Sequence, residues 1–333
     1  MKYSSPVAGD TALVLGASGF LGSHVVKALV AAGRPVRILT RPTSDTAMTD
    51  HLDLDRMTGD VFDRATLHNA MTGCGAVFYC IVDARSWLRD STPLYRTNVD
   101  GSRIAMETAL ELGIDRFIFT SSIVTIGLNP SGVATEADAF NWGDRAPPYV
   151  LTRVAAENQL MELCERGLPA VACNVATTFG GHDHVPTPHG KLIKFTVKTM
   201  MPVYWDAKMS VVGIKDAADA MLLAEQHGRV GERYIVSDRM MDMAEIATKA
   251  AAYAGVKPPR FEAPTWSVDG GTWVIEKLMH ALGQDTVFSM SSILLSRIMG
   301  AYDNSKARTE LGWQPRPMEA SIEEAALWFK ANP

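Results

Sequence analysis

Tyr149 and Arg153 are separated by three residues in the segment PPYVLTRVAAEN, residues 147–158. The residue pattern predicts a helix over 149–166, and residues four apart on a helix lie on one face, a turn apart. A tyrosine hydroxyl donates a proton to an oxygen that gains negative charge, and a nearby cation lowers the pKa of that hydroxyl from its ordinary value of about 10. The pair therefore has the residue types and spacing of an acid-base group.

A glycine-rich segment, LVLGASGFLGSHVVKALVAAG, connects a predicted strand to a predicted helix over 20–32. Gly16 permits a tight turn, Gly19 lets the backbone approach a pyrophosphate, and Gly22 allows the helix to pack closely on the strand. The start of the helix offers free N–H groups and a partial positive charge. We predict that this segment binds a dinucleotide through Gly16, Ser18, Gly19, Phe20, Leu21 and Gly22. The alternative is a strand-to-helix turn without a ligand.

Strands and helices alternate along the first half of the chain, as a structure that positions these residues requires. The short apolar runs that predict strands are residues 11–16, 35–40, 76–82, 116–122 and 169–175, and the helical patterns between them are 20–32, 64–71, 92–112 and 149–166. This order predicts an α/β fold with a doubly wound parallel sheet, a Rossmann fold. Ligands of such sheets lie beyond the carboxyl ends of the strands, where Ile81, Val82, Ser122 and Val175 stand.

The second predicted strand indicates which dinucleotide is bound. An acidic residue about twenty positions after the glycines usually holds a ribose without a 2′-phosphate, whereas a phosphorylated ribose needs a cation there. Thr40 and Arg41 occupy this place. Arg41 is able to bind the 2′-phosphate with its guanidinium fork, so NADP is favoured over NAD. The alternative is a solvated arginine at the end of a strand.

The regular alternation weakens after residue 175. We predict a dinucleotide-binding domain over 1–175 and a mainly substrate-binding lobe over 176–333, a smaller, mixed lobe interleaved with elements that return to the main sheet. The helical stretch 271–300 is rich in Trp, Met, Ile and Leu. It is interpreted first as core and pocket wall, with a dimer surface or a peripheral membrane contact as alternatives.

Composition limits the classes of function. The chain has 333 residues, 47% of them hydrophobic and 21% charged, and a formal charge of −5, without a long basic run, which argues against nucleic-acid binding. No apolar run is long enough to predict a membrane span. The N-terminus reaches a strand too early for a signal peptide, and the four cysteines have no CxxC spacing, so a cytoplasmic protein with reduced thiols is expected.

Several motifs together carry a resemblance to a known family. GASGFLG, GDVFD (59–63), NVDGSR (98–103), FTSS (119–122), the Tyr149 and Arg153 pair and DNSKARTELGWQPRP (303–317) follow one another at the spacing of the extended short-chain dehydrogenases/reductases. The chain is similar in particular to their dihydroflavonol-reductase, 3β-hydroxysteroid dehydrogenase and hopanoid-associated branch. The resemblance implies that Ser122, Tyr149 and Arg153 form the catalytic group and that Asp60 and Val61 flank the adenine. It also implies that the loop containing His182, Asp183, His184 and His189 holds no metal.

Two positions depart from the family pattern. The family has lysine where this chain has Arg153, which keeps the charge but is longer and effectively never deprotonated. In the family this strand end commonly carries a histidine followed by small residues that lie against the cofactor; the matching positions here are Tyr79, Ile81 and Val82. The bulk of Ile81 and Val82 would press on the cofactor or narrow the pocket. The alternative for Ile81 and Val82 is that they are ordinary buried strand residues.

The leading functional prediction is an NADP-dependent enzyme, monomeric or homodimeric, that reduces a ketone or aldehyde, or oxidises the alcohol, of a mainly apolar and potentially cyclic small molecule. Residues 176–230 contain six Lys and Arg residues without a clear arginine clamp, which weakly disfavours the first alternative, a nucleotide-sugar epimerase or dehydratase. The second alternative is a catalytically weak NADP-binding regulatory protein.

Overall fold

Residues 10–332 are described by the structure, which is a computed structural model. The strands are β1 (Thr11–Leu15), β2 (Val36–Thr40), β3 (Asp55–Thr58), β4 (Cys74–Tyr79), β5 (Arg116–Ser122), β6 (Val133–Ala134), β7 (Ala170–Val175), β8 (Thr177–Phe179), β9 (Val203–Tyr204), β10 (Lys208–Gly213), β11 (Arg233–Val236), β12 (Arg239–Asp242), β13 (Phe261–Glu262) and β14 (Ala301–Tyr302). The helices are α1 (Phe20–Ala31), α2 (Arg64–Met71), α3 (Thr92–Tyr95), α4 (Gly101–Leu112), α5 (Pro148–Glu165), α6 (Gly190–Val197), α7 (Ile214–His227), α8 (Met243–Ala254), α9 (Thr265–Ala281), α10 (Met290–Ile298), α11 (Ser305–Glu310) and α12 (Met318–Ala331).

The main sheet has seven strands within the described residues, in the order β11-β7-β5-β4-β1-β2-β3. Each neighbouring pair is parallel. The strand order reverses between β1 and β4, so the crevice at their carboxyl ends is the place where a doubly wound sheet binds its ligand. The predicted Rossmann fold is confirmed.

Side chains of the strands alternate between two cores because successive residues of a strand point to opposite faces. In β1, Ala12 and Val14 belong to the core under α1 and α7, whereas Leu13 and Leu15 belong to the core under α2, α4 and α5. A third core joins α6, α8 and α12 with β8 and β10. These buried layers fix the strand ends that carry the predicted site.

The part after residue 175 both departs from the main sheet and returns to it. β10 pairs with β8 and β12 in a separate sheet, while β11 joins the edge of the main sheet beside β7. The late motif DNSKARTELGWQPRP packs against this edge: Lys306 bonds to Glu232 at 2.6 Å, and the Trp313 indole donates to the carbonyl oxygen of Asp216 at 2.9 Å. The motif thereby ties the end of the chain to the main sheet and to α7, which carries Asp216.

Three local predictions differ from the structure. β4 spans Cys74–Tyr79 rather than 76–82, so Ile81 and Val82 lie beyond its end. The helical stretch 92–112 is interrupted by a π-helical turn at Arg96–Asp100. The edge strand β3 was not predicted, because its sequence, DRMT, is polar and largely exposed. Within residues 10–332, no helix combines the length and the apolar character that crossing a bilayer requires.

Candidate active site

The glycine turn, residues 16–22, lies between β1 and α1 at the point where the strand order of the main sheet reverses. Gly16 has φ +87°, and a Cβ there would meet the backbone of Cys80 at 2.9 Å. A Cβ on Gly22 would lie 2.1 Å from the Gly16 carbonyl oxygen, so only glycine allows this packing. Gly19 is exposed at the start of α1, which has neither a side-chain cap nor an acidic residue in its first turn. The positive helix end is therefore uncompensated and fits a pyrophosphate.

Arg41, Asp60 and Val61 lie at the ends of neighbouring strands. Arg41 directly follows β2 and is exposed, and the structure gives its side chain no hydrogen bond or ion pair with a described residue. The Gly59 N–H donates to the Thr40 carbonyl oxygen at 2.9 Å, which brings Asp60 to the same edge. Asp60 Oδ1 accepts from the N–H of Phe62 at 3.1 Å, so this carboxylate shapes the turn that follows. This edge of the sheet therefore presents the exposed guanidinium of Arg41 without a partner among the described residues.

Ile81 and Val82 are half-buried in the segment after β4 and are not strand residues. A Cβ built on Gly16 would lie 3.1 Å from Cγ1 of Ile81, so this side chain packs on the glycine turn. Asn98 holds the segment in place: its Oδ1 accepts from the Asp83 N–H at 2.8 Å, and its Nδ2 donates to the Asp83 carbonyl at 2.9 Å. The Asn98 side chain thus stabilises the backbone that follows β4.

Arg153 is wholly buried on the inward side of α5, against the main sheet. Its Nη2 donates to the carbonyl oxygen of Thr120, and its guanidinium carbon lies 5.3 Å from the ring centroid of Phe119. Nε and Nη1 are buried without a hydrogen-bond partner among the described residues. Burial lowers the pKa of Arg153, while the nearby Tyr149, Tyr79 and Glu157 act in the opposite direction. Two unused donors of a buried cation fit a ligand rich in hydroxyl groups.

Tyr79 lies near the same guanidinium. Its ring is fully buried and stacks on Phe119 at 5.7 Å and on Phe117 at 6.2 Å between centroids. Its hydroxyl has no hydrogen-bond partner in the described part of the chain. Burial raises the pKa of Tyr79, and the charge of Arg153 opposes that increase. A neutral phenol at this place gives Arg153 no counter-charge, so the carboxylate that acts on this cation is that of Glu157, one turn along α5.

Tyr149 and Ser122 come to the same end of the sheet from different elements. Tyr149 is in the first turn of α5, and Ser122 is the last residue of β5. Ser122 Oγ accepts from the Val124 N–H at 3.4 Å, and Val124 packs in one apolar cluster with Tyr149. The structure shows no hydrogen bond between Ser122 and Tyr149. Both side chains are half-buried and so remain open to a ligand. Val175, at the end of β7, pairs with Ser122 in register.

An apolar cluster forms the wall beside Tyr149. Its buried members are Val124, Trp142 and Val150, and partly buried neighbours from α10 and the residue after it are Leu295, Ile298 and Met299. The Trp142 indole nitrogen is buried without a partner among the described residues. This wall suits an apolar molecule with an occasional polar group.

Sequence reasoning missed a buried carboxylate behind the site. Glu157 lies one turn after Arg153 on α5 and is 4% exposed. It accepts hydrogen bonds from Ser121, from Thr125 at 3.0 Å, from Asn174 at 2.7 Å and from Arg233 at 3.1 Å. The network joins α5 to the ends of β5 and β7 and to β11. The sequence feature that could have revealed it is a charged residue on the face of the predicted helix that packs against the sheet.

The loop after β8 places Asp183 in a structural role. Its carboxylate accepts from the Thr187 N–H at 2.9 Å and from the Thr187 hydroxyl at 2.9 Å, while burial raises its pKa to about 6. His182 and His184 pack near the Trp328 ring, at 6.2 and 5.1 Å. Over the described residues, no group of three or more His, Cys, Asp or Glu side chains is arranged to hold a metal ion.

Comparisons with known proteins show which family the chain resembles. The profile of the NAD dependent epimerase/dehydratase family matches residues 12–237. The chain is 29% identical over 326 residues to a Synechocystis protein provisionally named dihydroflavonol 4-reductase, with 96% of this chain and 95% of that protein covered. It is also 29% identical over 322 residues to sterol demethylase protein B of Methylococcus capsulatus, covering 96% of this chain and 98% of that protein.

A solved structure, that of gox2253, is 32% identical to this chain and superposes with a TM-score of 0.85, covering 97% of this chain and 98% of that one. The family match covers more than half of the chain, and it begins in β1 and ends just after β11, so it includes the glycine turn and α5. The chain therefore belongs to the NAD-dependent epimerase/dehydratase family and is an NAD(P)-dependent oxidoreductase of the extended short-chain dehydrogenase/reductase type.

Proposed function

We propose that the protein transfers a hydride between NADPH and the carbonyl carbon of a mainly apolar, cyclic small molecule, with Tyr149 as the acid-base group. The observation that carries this proposal is the position of Tyr149, which lies near the buried cation of Arg153 and packs against an apolar cluster. When bound, the dihydronicotinamide supplies the hydride. The hydride leaves negative charge on the substrate oxygen, and a donor in hydrogen-bond reach must protonate it.

Tyr149 is the donor that fits this role. Its hydroxyl forms no hydrogen bond with a described residue, and its side chain is half-buried, so substrate is able to reach it. In the reductive direction Tyr149 gives its proton to the substrate oxygen, and Ser122 Oγ holds the same oxygen. In the oxidative direction Tyr149 takes the proton from the alcohol. Arg153 lies near Tyr149 and stabilises the tyrosinate that forms when the proton leaves.

Arg153 replaces the lysine of the family pattern and carries two tasks. Its charge acts on Tyr149, and its unpartnered Nε and Nη1 are available to the hydroxyl groups of the nicotinamide ribose. The third nitrogen, Nη2, is held by the Thr120 carbonyl and keeps the guanidinium in one orientation. A planar cation fixed at one nitrogen presents its other donors in a defined direction.

The preference for NADP rests on Arg41. This side chain is exposed beside the end of β2 and forms no hydrogen bond or ion pair with a described residue, so its guanidinium is free for a 2′-phosphate. A carboxylate that would favour the unphosphorylated ribose does not follow β2, where Thr40 and Arg41 stand.

An apolar substrate is favoured over a nucleotide sugar by two observations. Three of the six cations in residues 176–230 are bound to acidic side chains of the protein: Lys208 to Asp242 at 3.7 Å, Lys215 to Glu324 at 2.7 Å and Arg229 to Glu310 at 2.8 Å. A diphosphate would have to compete with these carboxylates. The wall beside Tyr149 is instead aromatic and aliphatic. The names of two relatives, a dihydroflavonol reductase and a sterol demethylase protein, also point to cyclic molecules.

The proposal is tested by following NADPH and NADH absorbance while the protein is offered cyclic ketones, aldehydes and steroid-like alcohols. We expect NADPH oxidation with a cyclic ketone, and a weaker reaction with NADH. UDP-glucose and dTDP-glucose serve as the comparison substrates. Epimerisation or dehydration of either sugar nucleotide, without reaction of any ketone, would refute the proposal in favour of the sugar-modifying alternative. Binding of NADPH without turnover of any compound would favour a regulatory protein.

A further inference from the structure

Helix α9 turns its apolar side chains away from the protein. Of its residues, only Thr272 is buried in the described structure, whereas Trp266 is 78% exposed and Trp273 is 55% exposed. The outer face of α9 is defined here by Trp266, Trp273, Val274, Ile275, Leu278 and the following Leu282, each at least 42% exposed. At 100° per residue these positions span about half of the helix circumference.

The exposed apolar area of the outer face of α9 is large for a surface in contact with water alone. Taking about 150–250 Å² for a fully exposed aromatic side chain, the two tryptophans alone present roughly 200–330 Å². The largest apolar patch of a typical monomer is about 300–600 Å² in total, and contiguous patches of this size mark interaction surfaces. The four aliphatic residues enlarge the patch further.

One exposed lysine, Lys277, lies among the apolar residues of this face. The acidic side chains of the helix are used within the protein: Asp269 pairs with Arg297 at 2.7 Å, and Glu276 accepts from the Met290 N–H at 3.1 Å. The structure gives Lys277 no ion pair with a described residue. A partner of the outer face of α9 therefore meets an unneutralised cation within an apolar surface.

A second copy of this chain is a poor match for that surface. An antiparallel two-fold contact through the middle of α9 would place Lys277 opposite Asp269 of the other copy, but that carboxylate is already paired with Arg297 at 2.7 Å. An anionic bilayer is a good match, because lysine extends its charge to lipid phosphates while tryptophan rings lie at the headgroup level. We propose that the outer face of α9 binds the surface of an anionic lipid bilayer, with the helix lying in the interface.

This placement connects the bilayer to the active site through α10. Helix α9 contacts α10 through the Asp269 and Arg297 pair and through Glu276, and Leu295 and Ile298 of α10 pack in the apolar cluster of Tyr149. Bilayer binding brings the apolar wall of the site next to the lipid phase. The inference does not depend on the reaction, because membrane binding is measured without turnover.

The test is sedimentation of the full chain with vesicles of phosphatidylcholine and with vesicles of equal parts phosphatidylcholine and phosphatidylglycerol. We expect binding to the anionic vesicles with a blue shift of tryptophan fluorescence. Leu278→Gln is expected to weaken this binding about 5–10-fold. Its matched control is Leu327→Gln, since Leu327 is a 46% exposed leucine on α12, away from the outer face of α9, and should leave binding unchanged.

Charge reversal separates a bilayer from other apolar partners. Lys277→Glu is expected to weaken binding to the anionic vesicles about 30-fold and to leave the weak binding to phosphatidylcholine unchanged. Lys330→Glu, at an exposed lysine of α12, is the control and should have a much smaller effect. Circular dichroism checks that every variant is folded. The inference is overturned if the folded wild-type protein does not bind anionic vesicles, or if Leu278→Gln abolishes a homodimer in sedimentation velocity without changing vesicle binding.

Discussion

Replacing Arg153 by methionine separates the functional role of this side chain from a role in folding. The hydrogen bond from Nη2 to Thr120 is charge-assisted and contributes about 1.5–3 kcal/mol. Against it, Nε and Nη1 are buried without partners, and each such donor costs about 1–3 kcal/mol. Removal of the buried cation also removes its desolvation cost, which is offset in part by the loss of its attraction to Glu157. We therefore expect the free energy of unfolding of ligand-free Arg153→Met to lie between about 1 kcal/mol below and about 4.5 kcal/mol above that of the wild-type protein.

NADPH binding, unlike the stability of the ligand-free protein, should be weakened by Arg153→Met. NADPH at a concentration one hundred times its Kd stabilises the wild-type protein by about 2.7 kcal/mol, and this increment should be smaller in Arg153→Met at the same concentration. Urea unfolding with and without NADPH measures both quantities. Arg153→Lys keeps a cation and is the matched control, which we expect to retain part of the increment. A ligand-free Arg153→Met protein that is less stable by more than about 2 kcal/mol, yet fully stabilised by NADPH, would refute a cofactor-binding role for Arg153.

Three further predictions concern the glycine turn, the cofactor preference and the response to acid. Gly22→Ala should lower the free energy of unfolding by about 1–3 kcal/mol because its Cβ would lie 2.1 Å from the Gly16 oxygen, whereas Gly19→Ala, whose nearest contact is 3.3 Å, should weaken NADPH binding with little loss of stability in urea titrations. Arg41→Ala should raise the KM for NADPH about 10-fold or more and leave that for NADH nearly unchanged; equal changes in steady-state kinetics would exclude a 2′-phosphate contact.

The third prediction concerns the response to acid and rests on His24. This side chain is 4% exposed, and its burial lowers its pKa to about 4. Because the unfolded chain takes up the proton first, stability should fall as the pH drops from about 6.5 to 4, by about 3 kcal/mol from this residue, and His24→Gln should lose that part of the pH dependence.

The elements that the sequence predicted well are those with a strong local signal. Apolar runs and glycines located β1, β2, β5 and β7 and the helix that carries Tyr149 within a residue or two, because a strand buried on both faces is apolar throughout. Edge strand β3 was missed, since its polar residues lack that signal. Ile81 and Val82 were assigned to a strand by their β-branched type, but Asn98, distant in sequence, holds the following segment outside the sheet.

In the candidate site, too, the features with a local sequence signal were predicted and those that depend on distant contacts were not. Spacing alone placed Tyr149 and Arg153 on one helix, and the fold brings Ser122 to the same end of the sheet. The burial of Arg153, its two free nitrogens and the Glu157 network depend on contacts between distant segments, which no local pattern encodes.

The most direct test of the proposed chemistry is the single-turnover rate of NADPH oxidation by Tyr149→Phe with the best ketone of the substrate panel. The loss of one hydroxyl should lower this rate about 10²–10⁴-fold while the Kd for NADPH changes little. Tyr95→Phe is the control, since Tyr95 is 40% exposed on α3 and should react at the wild-type rate. Oxidation of NADPH by Tyr149→Phe at the wild-type rate would contradict the assignment of Tyr149 as the acid-base group.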